Sequence, residues 1–257
     1  MLGQGFGFLE RRSLARALRR WTEVSDHAKT MPAAELKAAQ SQLAVMRHQL
    51  DRARQATTAA LLASGTGADG IDRPHQCDWA YRPGPWVTPI VPSGAVSVPS
   101  PADLGGGVKL FHDAEKSELS YRQIRNARPG VSAPFGIVLD VYRFDGSFLS
   151  VVQDLPAEAV NGLTRGHFLK VSLQMAVESP LEIYARLNIQ HGPNCEQVVR
   201  QFDVKGDSAV AEFDLAYTKI NENRLEKMWL DLIFEGPQMN QVTIRDMTVS
   251  RAPRAEL

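Results

Sequence analysis

Residues 181–190, Leu-Glu-Ile-Tyr-Ala-Arg-Leu-Asn-Ile-Gln, alternate strictly between apolar and polar. Successive side chains on a β-strand point to opposite faces. Leu181, Ile183, Ala185, Leu187 and Ile189 therefore share one face, and Glu182, Tyr184, Arg186, Asn188 and Gln190 share the other. A chain carrying such a segment must cover the first face with further strands. The same period recurs in Leu169, Val171, Leu173, Met175 and Val177. It recurs again in Met228, Leu230, Leu232 and Phe234, with Lys227, Trp229, Asp231, Ile233 and Glu235 opposite. Over 242–249 the phase slips, because Val242 and Ile244 are even-numbered while Met247 and Val249 are odd. One extra residue near Arg245-Asp246 accounts for the slip as a β-bulge.

These patterns predict strands at 108–112, 135–142, 148–154, 168–178, 181–190, 197–204, 210–217, 227–235 and 242–250. Asp145-Gly146, Ser179-Pro180, His191-Gly192-Pro193-Asn194, Gly206-Asp207 and Gly236-Pro237 divide them as turns. Short strands at this spacing build an antiparallel β-sandwich of jelly-roll type, assigned to residues 108–257. Residues 115–127 fit helix and strand equally. Residues 218–226 lack alternation and read as a long connection or a single helical turn.

The N-terminal quarter follows a different period. Leu14, Leu18 and Trp21 recur at helical spacing over 10–28, with Arg11, Arg12, Arg16, Arg19 and Arg20 around them. Pro32 suits the first turn of a second helix, and Glu35 complements its positive end. Leu36, Leu43 and Leu50 then repeat every seven residues, with Ala39, Met46, Ala53 and Ala60 between them. That is the seam of a coiled coil. Residues 1–64 are expected to fold as a helical hairpin, or to pair with a second copy and make the protein a homo-oligomer through residues 10–63. Residues 6–21, with Phe6, Phe8 and five arginines, would also suit an anionic membrane surface. The adjacent seam gives packing precedence over that reading.

Between these regions, 65–107 reads as a Gly/Pro-rich linker arm. Its prolines at 74, 83, 85, 89, 92, 99 and 101 exclude regular helix and central strand. Trp79, Tyr81 and Trp86 lie among them, and large rings favour an arm laid across a folded body and pinned there.

Composition bounds the function. Of 257 residues, 44% are hydrophobic and 23% charged, as in ordinary globular domains. Lys+Arg and Asp+Glu are both 29, so no global field draws the chain to nucleic acid. Residues 1–64 are nevertheless basic, with 10 cationic and 5 anionic side chains. Cys77 and Cys195 show no partner spacing, and the arginines follow the short apolar N-terminal run instead of preceding it. A reduced, cytoplasmic protein is expected.

The candidate ligand face is Tyr184, Arg186 and Asn188 with Trp229 and Asp231 from a nearby strand. An aromatic ring stacks on the apolar face of a sugar while amide, carboxylate and guanidinium groups take its hydroxyls. The competing reading leaves this face solvated, or covered by the proline-rich arm. For glycoside hydrolysis, Asp231 and Glu235 stand roughly 13 Å apart along one strand, beyond the separation such carboxylate pairs need. Asp231 with Glu212 or Asp214 stays open as a cross-strand pair. His191, Asn194 and Glu196 share one turn, and His112, Asp113 and Glu115 share another. Neither has zinc spacing, and turn stabilisation outweighs calcium binding there. Gly3-Gln4-Gly5-Phe6-Gly7 follows no strand and is no phosphate loop. No catalytic residue, cofactor or metal ligand is assigned.

Phe-Asp-Gly-Ser-Phe-Leu-Ser at 144–150, His-Gly-Pro-Asn at 191–194 and Glu-Lys-Met-Trp-Leu-Asp-Leu-Ile-Phe-Glu-Gly-Pro-Gln-Met-Asn-Gln at 226–241 resemble an uncharacterised protein family of alphaproteobacteria. The resemblance extends to the helical N-terminus and implies no activity. At the level of fold, the strand count and the bulged final strand Thr-Ile-Arg-Asp-Met-Thr-Val at 243–249 resemble galactose-binding and carbohydrate-binding jelly rolls. No site residue transfers from that likeness. The expectation is a non-catalytic module binding a glycan or other polar ligand on one sheet face. The alternative is a structural or adaptor protein that uses its helices for attachment.

Overall fold

The computed structural model describes residues 8–63, 71–127 and 130–254. The glycine-rich run at 3–7 and the linker residues 64–70 lie outside them. The chain divides into two compact units, residues 1–58 and 59–257.

The first unit holds α1 (Phe8–His27) and most of α2 (Ala33–Ala63). The break falls where sequence placed it. The backbone N–H and the hydroxyl of Thr30 both donate to the His27 carbonyl at 2.9 Å, and the Leu36 N–H donates to the Pro32 carbonyl to open α2. The apolar faces are covered only near the turn, where Trp21, Val24, Leu36 and Ala39 are half-buried. Leu18 is 60% exposed and Leu50 65%, and Leu14, Leu43 and Met46 are also exposed. No helix among the described residues is long and apolar enough to cross a membrane.

The second unit is an antiparallel β-sandwich. One sheet runs β10 (Asn194–Gln201), β9 (Glu182–His191), β13 (Leu225–Glu235), β7 (Leu149–Asp154), β4 (Val108–His112), β3 (Ala102–Gly105). The other runs β11 (Asp203–Lys205), β12 (Ser208–Asp214), β8 (His167–Val177), β14 (Asn240–Pro253), β6 (Phe135–Val141), β5 (Leu119–Arg125), β2 (Gly94–Val96). An eighth strand, β1 (Trp79–Tyr81), joins β14 outside that order. The apolar rows read from sequence fill the space between the sheets. Leu169, Val171, Leu173, Ile183, Ala185, Leu187, Ile189, Leu230, Leu232 and Phe234 are all buried.

Two predicted boundaries shift for physical reasons. The strand expected at 197–204 is two strands, because Phe202 turns into the core and carries the chain from the six-stranded to the eight-stranded sheet. The ambiguous stretch at 115–127 contains β5, and 218–226 contains a single 3₁₀ turn at Glu222–Arg224.

Residues 71–107, read as an arm, supply three strands to the two sheets. β2 and β3 lie at sheet edges, where a missing proline N–H costs no ladder bond. A four-residue helix, α3 (Gly84–Val87), buries Trp86. Gly106, at φ +58°, lets the β3–β4 turn rest on this helix, since a Cβ there would stand 2.8 Å from the Gly84 Cα.

The upstream chain converges on the predicted bulge. β14 pairs Ile244 with Met175 and then Asp246 with Gln174, leaving Arg245 unmatched. The Trp86 indole Nε1 donates to the Ile244 carbonyl at 2.9 Å. The Asn126 side-chain amide donates to the carbonyls of Arg245, Phe135 and Ala133 at 2.7–2.9 Å. Gly136 lies against the same residues, where an added Cβ would meet the Arg245 Cα and the Ile244 oxygen at 3.0 Å. The Arg82 guanidinium grips Asp246 through two 2.8 Å bonds, with both side chains nearly inaccessible. Replacing Asp246 by Ala removes the counter-charge of a buried guanidinium, at a cost of about 3–5 kcal/mol. Urea denaturation should show that loss, and a smaller one for the double variant Arg82→Met/Asp246→Leu, which removes both charges.

A second ion pair fastens the C-terminal half of β14. Arg251 binds Asp78 through Nε at 3.0 Å and Nη2 at 2.9 Å, while its Nη1 donates to the carbonyls of Ala159 and Asn161. Burial pushes the Asp78 carboxyl up, but the hydrogen bond and charge of Arg251, with His167 nearby, outweigh it and hold the group below its ordinary value of 3.8. A depressed folded-state value means the pair stabilises fully at neutral pH, and that its contribution disappears as pH falls through the depressed value. Asp78→Asn should therefore lower the melting temperature at pH 7 and flatten its further decline below pH 3.8.

Candidate functional site

The five residues singled out in the sequence do meet on one surface. β9 and β13 are adjacent, with Asn188 opposite Trp229, Arg186 opposite Asp231 and Tyr184 opposite Ile233. Their apolar partners point into the core, so this is the outer face of the six-stranded sheet. β10 extends it. The two-residue turn Gly192-Pro193, with Gly192 at φ +59°, sets the hairpin register and places Gln197 opposite Asn188.

The centre of the face is a closed polar knot. The Arg186 Nε donates to the Asp231 Oδ2 at 2.6 Å, and the Asn188 Nδ2 donates to the same oxygen at 3.1 Å. The Gln197 Nε2 donates to the Asn188 Oδ1 at 2.9 Å. Asp231 is 2% exposed and Asn188 1%. These two groups orient Arg186 and do not reach solvent themselves. Sequence reasoning gave both a direct ligand role, because alternation reports which side a residue faces and not what its neighbours cover. It also missed Gln197, although the hairpin turn contains the register that would have found it.

The accessible groups lie around the knot. Trp229 and Tyr184 are half-buried, and the Lys227 ammonium stands 5.1 Å from the Trp229 ring centroid. The Tyr184 hydroxyl donates to the Glu182 Oε2 at 2.7 Å, which, with smaller effects of desolvation and nearby charge, raises its ionisation above the ordinary tyrosine value. The Arg186 side chain is 40% exposed, and beyond its Nε the guanidinium bonds no other described residue.

Other candidates resolve differently. Asp231 faces outward from one sheet, and Glu212 and Asp214 face outward from the other, so both sheets separate them and the cross-strand acid pair does not form. The Asp113 carboxylate accepts from the Ser147 hydroxyl and from the N–H groups of Ser147 and Phe148, which hold it below its ordinary value as the anchor of a turn. Glu196 accepts from the Lys219 N–H, and His112 bonds the Val98 carbonyl. Among the described residues no group of three metal-ligating side chains assembles. Both cysteines are free.

The match of a family model across residues 1–257 decides the kinship. The chain belongs to DUF6478, a family of unknown function. This agrees with the resemblance to an uncharacterised family noted in the sequence. No functionally curated protein matches significantly in sequence.

Solved structures similar to the chain share little sequence with it. The enzymatically active domain of bacteriophage CBA120 tailspike protein 4 is 7% identical, with 57% of this chain and 19% of that one covered, at a TM-score of 0.40. The CBM22-1–GH10 modules of Clostridium thermocellum endo-1,4-beta-D-xylanase 10B are 10% identical, with 59% and 27% covered, at 0.37. The family 11 carbohydrate-binding module of Clostridium thermocellum is 10% identical, with 63% and 99% covered, at 0.38. The chain thus spans well under two thirds of the first two. Superpositions this loose carry no functional argument.

The knot has a mechanical consequence. Arg186→Ala removes the charged partner of the buried Asp231 carboxylate and should cost about 1–3 kcal/mol. Trp229→Ala, which breaks no hydrogen bond of the knot, should cost less. Denaturant midpoints of the two variants test the order.

Proposed function

We propose that the protein is a non-catalytic binding module that holds a glycan, or a similar polyhydroxylated ligand, on the outer face of the six-stranded sheet. One observation carries this reading. Two half-buried aromatic rings, Tyr184 and Trp229, flank a guanidinium whose outer edge is unspent and whose inner edge is fixed by buried groups. Four residues along the strand and one strand across separate the rings by roughly 14 Å. That spacing suits an extended oligomer better than a compact metabolite. A sugar offers an apolar ring face for stacking and hydroxyls for the guanidinium. Preorganisation of Arg186 lowers the ordering cost of binding.

Affinity gel electrophoresis against soluble bacterial and plant polysaccharides tests it. The full-length protein should be retarded by at least one of them. Trp229→Ala should weaken that retardation about 10-fold, with its circular dichroism unchanged. Equal retardation of the variant would remove this face from consideration.

The helical unit supports an additional reading, self-association through residues 10–63, because Leu14, Leu18, Leu43, Met46 and Leu50 are exposed in the single chain. Burying such a seam between copies is the usual resolution of an uncovered heptad pattern. Static light scattering should give a multiple of the 28.4 kDa chain mass, and the monomer for Leu43→Glu/Leu50→Glu.

A further inference from the structure

The outer face of the eight-stranded sheet is built on the opposite plan. Strand register sets Ser208 beside Gln174 and Asp246, Val210 beside Ser172 and Thr248, and Glu212 beside Lys170 and Ser250. Ser172, Ser208, Thr248 and Ser250 leave the middle of this face low between the longer Lys170, Gln174 and Glu212. Larger side chains stand around it: Arg200 and Lys205 at one margin, and Pro74, Phe168 and Pro253 at another. The result is a trough. It opens as three clefts of about 510, 210 and 250 Å³, and Lys170 lines all of them. The largest falls in the size range of small-molecule and cofactor sites.

What distinguishes this floor is unspent hydrogen-bonding capacity. On the six-stranded sheet, Arg186 is paired with Asp231, Asn188 with Gln197, Tyr184 with Glu182, and Gln190 with Glu226. In the trough, the side chains of Lys170, Ser172, Gln174, Ser208, Thr248 and Ser250 form no hydrogen bond or ion pair with another described residue. An apolar occupant would leave these groups unpaired, so the occupant must hydrogen-bond along its length.

The charges narrow the class. In the largest cleft Asp203 is neutralised by Lys205 at 2.7 Å, which leaves Lys170 and Arg200 against Glu212. The Arg200 Nη1 reaches only the neighbouring Val199 carbonyl. In the second cleft Asp246 is already spent on Arg82, and the exposed Asp72 adds one carboxylate. Lys170 and Arg200 thus outnumber Glu212 at the widest part of the trough, a net charge of one. At its far end the Arg254 guanidinium stands 6.0 Å from the Phe168 ring and 5.8 Å from that of Tyr217, which is 79% exposed. That arrangement presents a braced aromatic lip.

We infer that this trough is a second binding site, for an acidic oligosaccharide of the uronate type. Its carboxylates lie between Lys170 and Arg200, and its hydroxyls lie along Ser172, Thr248 and Ser250. The site is independent of the face carrying Trp229.

Isothermal titration of the full-length protein with hexagalacturonate, and with cellohexaose as the neutral counterpart, tests the assignment. Hexagalacturonate should bind with an affinity that falls as salt rises, and cellohexaose should bind at least about 10-fold more weakly. Lys170→Gln/Arg200→Gln should lose about 10-fold or more. Ser172→Tyr, which plugs the floor, should lose binding by shape alone. Trp229→Ala should bind as the wild type does, and thermal melts confirm that each variant is folded. The inference is overturned if hexagalacturonate fails to bind, if cellohexaose binds the Trp229→Ala variant as well as hexagalacturonate does, or if binding survives both the charge and the plug substitutions. Loss in Trp229→Ala alone would also overturn it, while supporting the ligand face on the other sheet.

Discussion

Three residues of the last strand, Ile244 to Asp246, hold the sandwich together. The extra residue at Arg245 reverses the side-chain phase of β14. Val242 and Ile244 point inward before it, and Met247 and Val249 after it. A bulge leaves backbone groups without ladder partners, and here they become attachment points. Trp86, Asn126 and Gly136 each meet the backbone there, and Arg82 takes the Asp246 side chain. The edge of β14 is divided at the same place, with residues 240–244 paired to β6 and 249–251 to β1. Without the bulge, the proline-rich segment 71–107 would lose these attachment points.

The two outer faces show how similar strands yield different surfaces. Long complementary side chains in register pair with each other, as Arg186 and Asp231 do, and the face closes except at its rings. The short hydroxyl side chains of Ser172, Thr248 and Ser250, in register on the other face, form no bond with one another, so their capacity stays directed outward. Whether a polar sheet face is finished or open to a ligand therefore depends on side-chain length as much as on polarity.

Much of this fold is readable from periodicity. The rows through Leu187, Leu173 and Leu230 define the core, and the phase slip at Arg245 announces the bulge. The candidate face was legible as well, because a strand's period assigns Tyr184, Arg186 and Asn188 to one side. Three things were not. β1, β2 and β3 are too short and too rich in neighbouring prolines to show a period, and only their edge positions make them possible. Burial of Asp231 and Asn188 depends on Arg186 and Gln197, which are brought in by partner strands. The trough depends on three strands joined by long connections, so no single segment contains its pattern.

The contacts that unite the sandwich are very long in sequence. Arg82 and Asp246 are 164 residues apart, and Arg251 and Asp78 are 173 apart. Folding must close these loops before the gain from the buried pairs is realised, and such topologies fold slowly. On a ribosome, Arg82, Trp86 and the core faces of β4 to β9 emerge well before β14 can receive them. The nascent domain therefore spends an extended interval with apolar strand edges open, a state that favours chaperone engagement or aggregation over premature ligand capture.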